Sequence, residues 1–343
     1  MIRTVTGDIK KKDLGFTSAH EHLLIDLRPL VDVPDNNPEF FQPLSIDNRY
    51  LVNEDPYALY DNANMTEEHV AVREMALFKK FGGNAVVDVT LDEIARNPSA
   101  LKRIAEQTGV HVIMGCGHYI DGALKESVRR MSERQLADDM INEIVHGVGD
   151  TGIKAGVIGE IGTSAVPTAD EWKNVRAAGM AAVQTDCGVH VHTALWERNG
   201  LAVADALTSL GVRPEKIAIN HVDVDLRMDY NLQLLDKGVF IEFDNFGKEF
   251  YVPKNGCSLL NGRFAYDLER ANMLAVLVKR GYAKQILISN DICLKSMLSG
   301  YGGNGYMHLM RHVVPMLLDV GLTEGDIQTI FVNNPANFLD RND

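Results

Sequence analysis

Residues 16–20 read FTSAH, a short strand-like run, and a second histidine, His22, follows two positions after its last residue. Seven further runs follow, most of them rich in β-branched residues and bounded by Gly, Asn or Asp. They are NAVVDVT (84–90), VHVIMGCG (110–117), AGVIGEIG (155–162), GVHVHT (188–193), KIAINH (216–221), GVFIEFD (238–244) and QILISND (285–291). Segments with helical spacing of apolar residues lie between them, at about 66–81, 133–146, 169–186, 199–210, 228–236, 265–280 and 305–319, and a closing helix is expected at 323–339.

Strands that alternate with helices pair in parallel through right-handed crossovers. Eight such repeats predict an α/β fold, the (β/α)8 TIM barrel, which takes roughly 250 residues in its simplest form. The remaining length is expected in two long loops, 23–65 after the first strand and 245–263 after the seventh. A doubly wound open sheet is the structural alternative. We expect a single domain over residues 1–343.

The charge and cysteine content exclude several classes of protein. The net charge is −13 and no run of Lys or Arg exceeds Lys10–Lys12, so a nucleic-acid groove is not expected. No apolar stretch reaches the roughly 18 residues of a membrane span, and the first residues lack a signal-peptide core. The four cysteines are widely spaced, which argues against disulfides. We expect a cytoplasmic protein; a homodimer is compatible with such a barrel, although no sequence feature marks an interface.

Histidines and acidic residues fall where the predicted strands end. They are His20 and His22 on strand 1, Glu160 on strand 4, His192 on strand 5, His221 on strand 6 and Asp291 on strand 8. Because parallel strands of a barrel finish at one rim, we expect these six side chains to converge. Imidazoles and carboxylates suit Zn²⁺, with Mn²⁺, Co²⁺ or Fe²⁺ as alternatives. The set suffices for two ions about 3.5–4 Å apart, with one bridging carboxylate and a shared hydroxide.

Each of these residues alone has an ordinary structural explanation, and only their joint placement at the strand ends indicates a metal site. Asp291 alone would be a helix cap, and His20 with His22 alone would be a weak motif. His190 shares a strand face with His192 and is the alternative ligand; we place His192 nearer the rim. No G-x-S-x-G, Walker or G-x-G-x-x-G motif competes. The glycine-rich stretch 300–305 fits either an anion site or a tight turn.

Substrate contacts are expected from the loops after the strands. Cationic and tyrosine side chains available there are Arg28, Arg198, Lys248, Lys254, Arg263 and Lys295, with Tyr119, Tyr251 and Tyr301. Of these we predict contacts from Tyr119, Arg263, Lys295 and Tyr301, together with His118 after strand 3. Such a set favours a small-molecule substrate with an anionic group.

The motifs TSAHEHLLID, AGVIGEIGTS, VHVHTA, INHVD and ISNDI resemble the phosphotriesterase-related proteins of the amidohydrolase superfamily, from about residue 3 to 339. The resemblance implies that His20, His22 and Asp291 bind the more buried metal ion and that His192 and His221 bind the second. The bridging ligand of the phosphotriesterases proper is a carboxylated lysine. Here Glu160 stands in that position, and Lys154 lies at the wrong end of its strand to replace it.

With a glutamate in this position, the sequence resembles the phosphotriesterase-homology and phosphotriesterase-related branches of the family. Neighbouring branches include lactonases, some of which act on phosphorylated sugar lactones. One animal branch acts on an N-acylated amino sulfonate. The leading hypothesis is therefore a hydrolase of carboxyl esters or lactones, including phosphorylated sugar lactones. Asp291 would take the proton of the nucleophile and pass it to the leaving group. The alternatives are an amidohydrolase of a small N-acyl compound, a phosphotriesterase, and, outside these, a metal-binding protein without catalysis.

Overall fold

Eight parallel strands form a closed barrel. The computed structural model describes residues 1–250 and 262–341. The strands are β1 (Thr17–Glu21), β2 (Ala85–Asp88), β3 (His111–Cys116), β4 (Val157–Thr163), β5 (Val189–Thr193), β6 (Ile217–Ile219), β7 (Phe240–Phe243) and β8 (Ile286–Ile288). Neighbours along the chain are neighbours in the sheet, every pair is parallel, and β8 lies beside β1. The TIM barrel predicted from the sequence is therefore confirmed.

Helices follow the strands and surround the barrel. Within the described ranges they are α1 (Arg49–Glu54), α2 (Glu68–Lys80), α3 (Pro98–Thr108), α4 (Glu126–Arg130), α5 (Glu133–Val145), α6 (Ala169–Thr185), α7 (Gly200–Ser209), α8 (Met228–Asp236), α9 (Asp267–Lys279), α10 (Val314–Asp319), α11 (Glu324–Gln328) and α12 (Asn334–Leu339). Two π-helical segments, Leu309–Val313 and Thr329–Asn333, join on to α10 and α12. No helix in these ranges has the length and apolar composition needed to cross a membrane.

Helix α3 was not predicted, although the sequence carries signals for both of its ends. The Asn97 side chain accepts a hydrogen bond from the Ala100 amide at 3.1 Å, and Pro98 occupies the first turn. Gly109 ends the helix in the left-handed region at φ +66°. The helix is short and its buried stripe is limited to Ala100, Leu101, Ile104 and Ala105, so its apolar periodicity is weak in the sequence.

The barrel interior is apolar at its amino end and polar at its carboxyl end. Inward-facing Val87, Ile113, Val157, Phe240 and Leu287 form one buried cluster at the amino end. Residues from both chain ends complete that cluster: Ile2 in the hairpin of strands Ile2–Thr4 and Gly7–Ile9, Leu14, Phe338 and Leu339. Since this end is filled, polar side chains can gather only at the carboxyl end, where active sites of such barrels lie.

Two long connections cover the carboxyl end, as predicted. The first, after β1, includes α1 and a short antiparallel pair, Ile25–Asp26 with Asn64–Met65. Its buried residues Leu27, Phe40 and Leu59 anchor it to the body of the protein. The second follows β7, and its residues 251–261 lie outside the described part of the chain.

Candidate metal centre and substrate pocket

Glu160 lies at the centre of the six side chains predicted as metal ligands. Its carboxylate oxygens are 3.5 Å from His20 Nε2, 3.3 Å from His22 Nε2, 3.0 Å from His192 Nδ1 and 3.4 Å from His221 Nε2. Asp291 Oδ1 completes the set at 3.1 Å from His22 Nε2. The structure thus brings all six together, with Glu160 in contact with every imidazole, as a bridging ligand would be.

The donor set fits divalent metal ions. His20 is fully buried, yet neither of its ring nitrogens makes a hydrogen bond within the described residues. Ligand atoms of His20, His22 and Asp291 lie within 4.8 Å of one another, and so do those of His20, Glu160 and His221. Two overlapping triads of this kind suit two neighbouring ions.

The electrostatics of the site also favour the binding of positively charged ions. Burial lowers the pKa of His22, but hydrogen bonds to Asp291 and Glu160 outweigh it and raise that pKa to about 10. Burial raises the pKa of Glu160, whereas the surrounding histidines, His20 foremost, bring it well below its usual value. Burial likewise raises the pKa of Asp291, whereas Lys248, His22 and His20 lower it below its usual value. Glu160 and Asp291 therefore remain ionised, and divalent cations would supply the charge that they attract.

Sharp turns at the strand ends direct the ligands over the barrel. His221 and Asp291 adopt φ angles of +61° and +47°, a left-handed conformation that is uncommon outside glycine and concentrates at functional sites. Gly162 allows the loop after β3 to approach Glu160, because a Cβ there would lie 2.2 Å from the Ile120 amide nitrogen.

Glu242 on β7 and Asp244 directly after it contact the predicted ligand histidines through their other ring nitrogens. His221 Nδ1 lies 3.0 Å from Asp244 Oδ1, and His20 Nδ1 lies 3.4 Å from Glu242 Oε2. Metal-bound histidines typically hold a carboxylate on their other nitrogen in this way. His190, the alternative ligand, instead pairs with Glu242 at 3.0 Å and belongs to this supporting layer. Neither carboxylate was predicted from the sequence, although two acidic residues in the apolar run GVFIEFD were the available signal.

Glu21, between His20 and His22 in the chain, positions Asp291. Its carboxylate accepts hydrogen bonds from the amides of Asn290, at 3.0 Å, and Ile292, at 2.9 Å. These two amides flank Asp291 in the chain. The middle residue of His20-Glu21-His22 thus ties β1 to the loop after β8.

Five of the six predicted ligands, all except His20, line a small pocket of about 90 Å³ and form its floor. Its wall includes Tyr57, Tyr119, Phe264 and the buried Lys248, whose Nζ pairs with Asp291. Burial lowers the pKa of Lys248, but the charge of Asp291 outweighs it, so the side chain stays cationic. Among the described lining residues Lys248 is the one lysine or arginine. Lys248 was among the loop cations available from the sequence, but it was not one of the predicted substrate contacts.

The structure brings one of the five predicted substrate contacts into this pocket. Tyr119 lines it, with its hydroxyl 3.4 Å from His192 Nδ1. The other four lie outside its described lining, because local partners hold them elsewhere. His118 pairs with Glu93 at 2.6 Å, Arg263 with Glu269 at 3.0 Å and Lys295 with Asp61 at 2.6 Å, while the Tyr301 ring lies 5.7 Å from Lys295 Nζ.

The remaining candidates from the sequence are also accounted for. Arg28 pairs with Asp26, and Arg198 with Asp229. Tyr251 and Lys254 lie outside the described residues. In the glycine-rich stretch, the amide of Gly300 donates to the Glu74 carboxylate at 3.2 Å, so an acidic side chain already holds it. A Cβ on Gly303 would lie 2.1 Å from the Met297 carbonyl oxygen, as in a tight turn.

Comparison with known proteins agrees with this geometry. The model of the Phosphotriesterase family matches residues 1–339. An N-acetyltaurine hydrolase from Danio rerio is 33% identical over 343 residues, which cover 98% of this chain and 97% of the relative. The crystal structure of a resiniferatoxin-binding protein from Rhodobacter sphaeroides superposes with a TM-score of 0.94 at 34% identity, covering 99% of this chain and 94% of that one.

A second solved structure is the phosphotriesterase homology protein from Escherichia coli, with phosphate in its active site. It has a TM-score of 0.79 and 28% identity, and the match covers 96% of this chain and 99% of that one. The barrel, the six convergent side chains and these matches lead to one conclusion: the chain belongs to the phosphotriesterase family.

Proposed function

We propose that this protein is a hydrolase that depends on two divalent metal ions, Zn²⁺ first among them, and cleaves the amide bond of a small N-acyl compound with an acidic tail. The observation that carries the proposal is Lys248, a buried cation in the wall of the pocket whose floor is the ligand cluster. Lys248 pairs with Asp291, but unlike the paired cations outside the pocket it lines the pocket itself, so an acidic tail beside the scissile bond would share it. The N-acetyltaurine hydrolase relative, named for an amide substrate with a sulfonate, supports the same choice.

The residues divide the chemistry between them. His20, His22 and Asp291 would hold one ion, His192 and His221 the other, and Glu160 would bridge them. Such an ion pair supplies a water-derived nucleophile near neutral pH and polarises the acyl oxygen. Asp291 accepts the proton released as water attacks the acyl carbon and passes it to the leaving nitrogen. The Tyr119 hydroxyl, beside His192, is placed to donate a hydrogen bond to the acyl oxygen.

An ester or lactone, including a phosphorylated sugar lactone, is the second candidate. Its carbonyl carbon would meet the same nucleophile, and the same Lys248 would pair with a phosphate. This class was the leading hypothesis from the sequence; we now rank the amide above it because the relative is named for an amide substrate. An amine leaving group also needs a proton at departure, which Asp291 can deliver.

Assays with one panel of substrates distinguish the two candidate functions. Metal-free and Zn²⁺-loaded protein are assayed with N-acetyltaurine, its ester analogue acetyl isethionate, a δ-lactone and an aryl phosphotriester. The proposal expects the metal-loaded protein to cleave N-acetyltaurine with the highest kcat/KM relative to the uncatalysed rate. Higher relative turnover of the lactone or the phosphotriester contradicts the amide assignment. Metal binding without turnover of any member supports a metal-binding protein without catalysis.

A further inference from the structure

A larger cavity of about 440 Å³ adjoins the metal pocket, and we call it the side chamber. Its described lining includes Leu30, Ile120, Thr163, Ser164, Trp196 and Glu197. Leu27, Tyr57, Tyr119, His192 and Leu195 line both the side chamber and the metal pocket. The two cavities therefore meet beside His192, a ligand of the proposed second ion.

The wall of the side chamber is mainly apolar. Its polar side chains on β4 and the loop that follows are already used internally: the Thr163 hydroxyl donates to the His192 carbonyl oxygen at 2.7 Å, and the Ser164 hydroxyl donates to Glu171 at 2.5 Å. Glu197 adds a negative charge at the exposed rim. An anionic group would be repelled there, whereas Lys248 lines the metal pocket and is not among the described lining of the side chamber.

Trp196 forms part of this wall in a constrained conformation. Its φ of +65° is in the left-handed region, which is unusual for a bulky residue. The Trp196 ring packs edge-on against Phe264, with centroids 5.4 Å apart, and a Cβ on Gly262 would lie 3.0 Å from its indole nitrogen. Packing from the loop before α9 thus holds the indole in a place that its backbone would otherwise disfavour.

The size of the chamber exceeds what an acetyl group needs. An acetyl methyl group is about the size of a water molecule, whose share of liquid volume is about 30 Å³. The chamber alone falls in the range of about 300–1,000 Å³ that is typical of pockets for whole small ligands. A methyl group would leave most of its apolar wall facing water.

We propose that the side chamber binds the acyl group of the substrate and that this group is larger than acetyl, a medium-length alkyl chain or an arylalkyl group. The acidic tail then lies on the Lys248 side. This assignment of substrate class rests on the proposed function, because it takes the acyl carbon to react at the ligand cluster. It makes Leu30, Ile120, Leu195 and Trp196 determinants of acyl specificity.

The first test is a series of N-acyltaurines with acetyl, butanoyl and hexanoyl groups on the Zn²⁺-loaded enzyme. A buried methylene is worth about 0.8 kcal/mol, so kcat/KM should rise about fourfold for each one added. Leu30 lines the chamber but not the metal pocket, and Leu30→Trp should reduce the hexanoyl-to-acetyl ratio at least tenfold. Val33→Trp, at a position 55% exposed in the same loop, is the matched control and should keep the wild-type ratio.

A second readout does not depend on amide turnover. Calorimetry of the Zn²⁺-loaded protein with acetohydroxamate and hexanohydroxamate measures the same selection by binding alone. We expect hexanohydroxamate to bind at least tenfold more tightly, with the difference lost in Leu30→Trp. Chain-length selection by hydroxamates without cleavage of any N-acyltaurine refutes the amide function and supports the chamber. Equal affinity for the two hydroxamates, no binding of either, or a kcat/KM that falls with acyl length overturns the chamber assignment.

Discussion

His20 and Glu242 face each other across the barrel interior, with His20 Nδ1 3.4 Å from Glu242 Oε2. The other nitrogen of His20 faces Glu160 and Asp291. Burial raises the pKa of Glu242, but the charge and hydrogen bond of His190 and the nearby His20 outweigh it and lower that pKa to about 2. An ionised Glu242 is therefore placed to orient His20 through Nδ1, which would direct Nε2 toward a metal ion.

Replacing Glu242 with Gln should weaken metal binding without removing a ligand. Loss of a supporting carboxylate typically costs about 10–100-fold in metal affinity. The dissociation constant for Zn²⁺ is measured by competition with a chromophoric chelator. Glu106→Gln, on the exposed face of α3, serves as the control. Equal affinities in the two variants would show that Glu242 does not orient His20.

Replacing Asp291 with Asn should reduce turnover far more than metal content. A positioned acid–base group contributes about 10²–10⁴-fold, and Asn cannot carry the proton. The experiment compares kcat with the metal-to-protein ratio of the same sample, and uses Asp319→Asn, at an exposed position on α10, as the control. Near-normal kcat in a metal-loaded Asp291→Asn sample would refute the acid–base role.

Replacing Lys248 with Met should remove the preference for acidic substrates. A hydrogen bond to a charged group is worth about 1.5–3 kcal/mol, or roughly 10–150-fold in kcat/KM. We compare N-acetyltaurine with a neutral N-acetylamine, since the ratio cancels any shared effect on Asp291. Lys295→Met is the matched control, because Lys295 is held by Asp61 outside the metal pocket. A larger loss of the preference for the acidic substrate in Lys295→Met than in Lys248→Met would contradict the assignment of Lys248 as the cation that binds the acidic tail.

Replacing Asp267 with Asn should destabilise the protein. Asp267 lies 2.6 Å from His308 Nε2 and accepts a bond from the buried Arg270 at 3.0 Å. Removing one partner of a buried pair costs about 3–5 kcal/mol in the free energy of unfolding, which is measured by denaturant titration at pH 7. A loss no greater than that in Asp319→Asn would contradict this role.

The same pair predicts acid sensitivity. Burial raises the pKa of Asp267, but the hydrogen bond and charge of His308 outweigh it, so the pKa in the folded state lies below the usual value of 3.8. A carboxyl group whose pKa is lower in the folded than in the unfolded state stabilises the folded state above about pH 4. This contribution to stability is lost as the pH falls through the lowered pKa. Wild-type protein should therefore lose more stability between about pH 5 and 3 than Asp267→Asn. Parallel acid profiles would count against the pair.

The sequence was sufficient for the barrel and for the gathering of the six predicted ligands, for one physical reason. A strand run and its last polar residue are local in sequence, and closure of parallel strands brings those ends to one rim. Which side chains line the substrate pocket, by contrast, depends on contacts between loops that are distant in the sequence. Lys295 and Arg263 stand after the right strands, but Asp61 and Glu269 hold them, and no spacing rule shows that.

The central claim is that two metal ions support the hydrolysis of an N-acyl amide. Its most direct test is a titration of metal-free protein with Zn²⁺, with the rate of N-acyltaurine cleavage recorded at each addition. We expect activity to be absent at the start and to reach its plateau at two equivalents per chain. Full activity without metal, or a protein that binds two equivalents and remains inactive on every acyl length, would contradict the account.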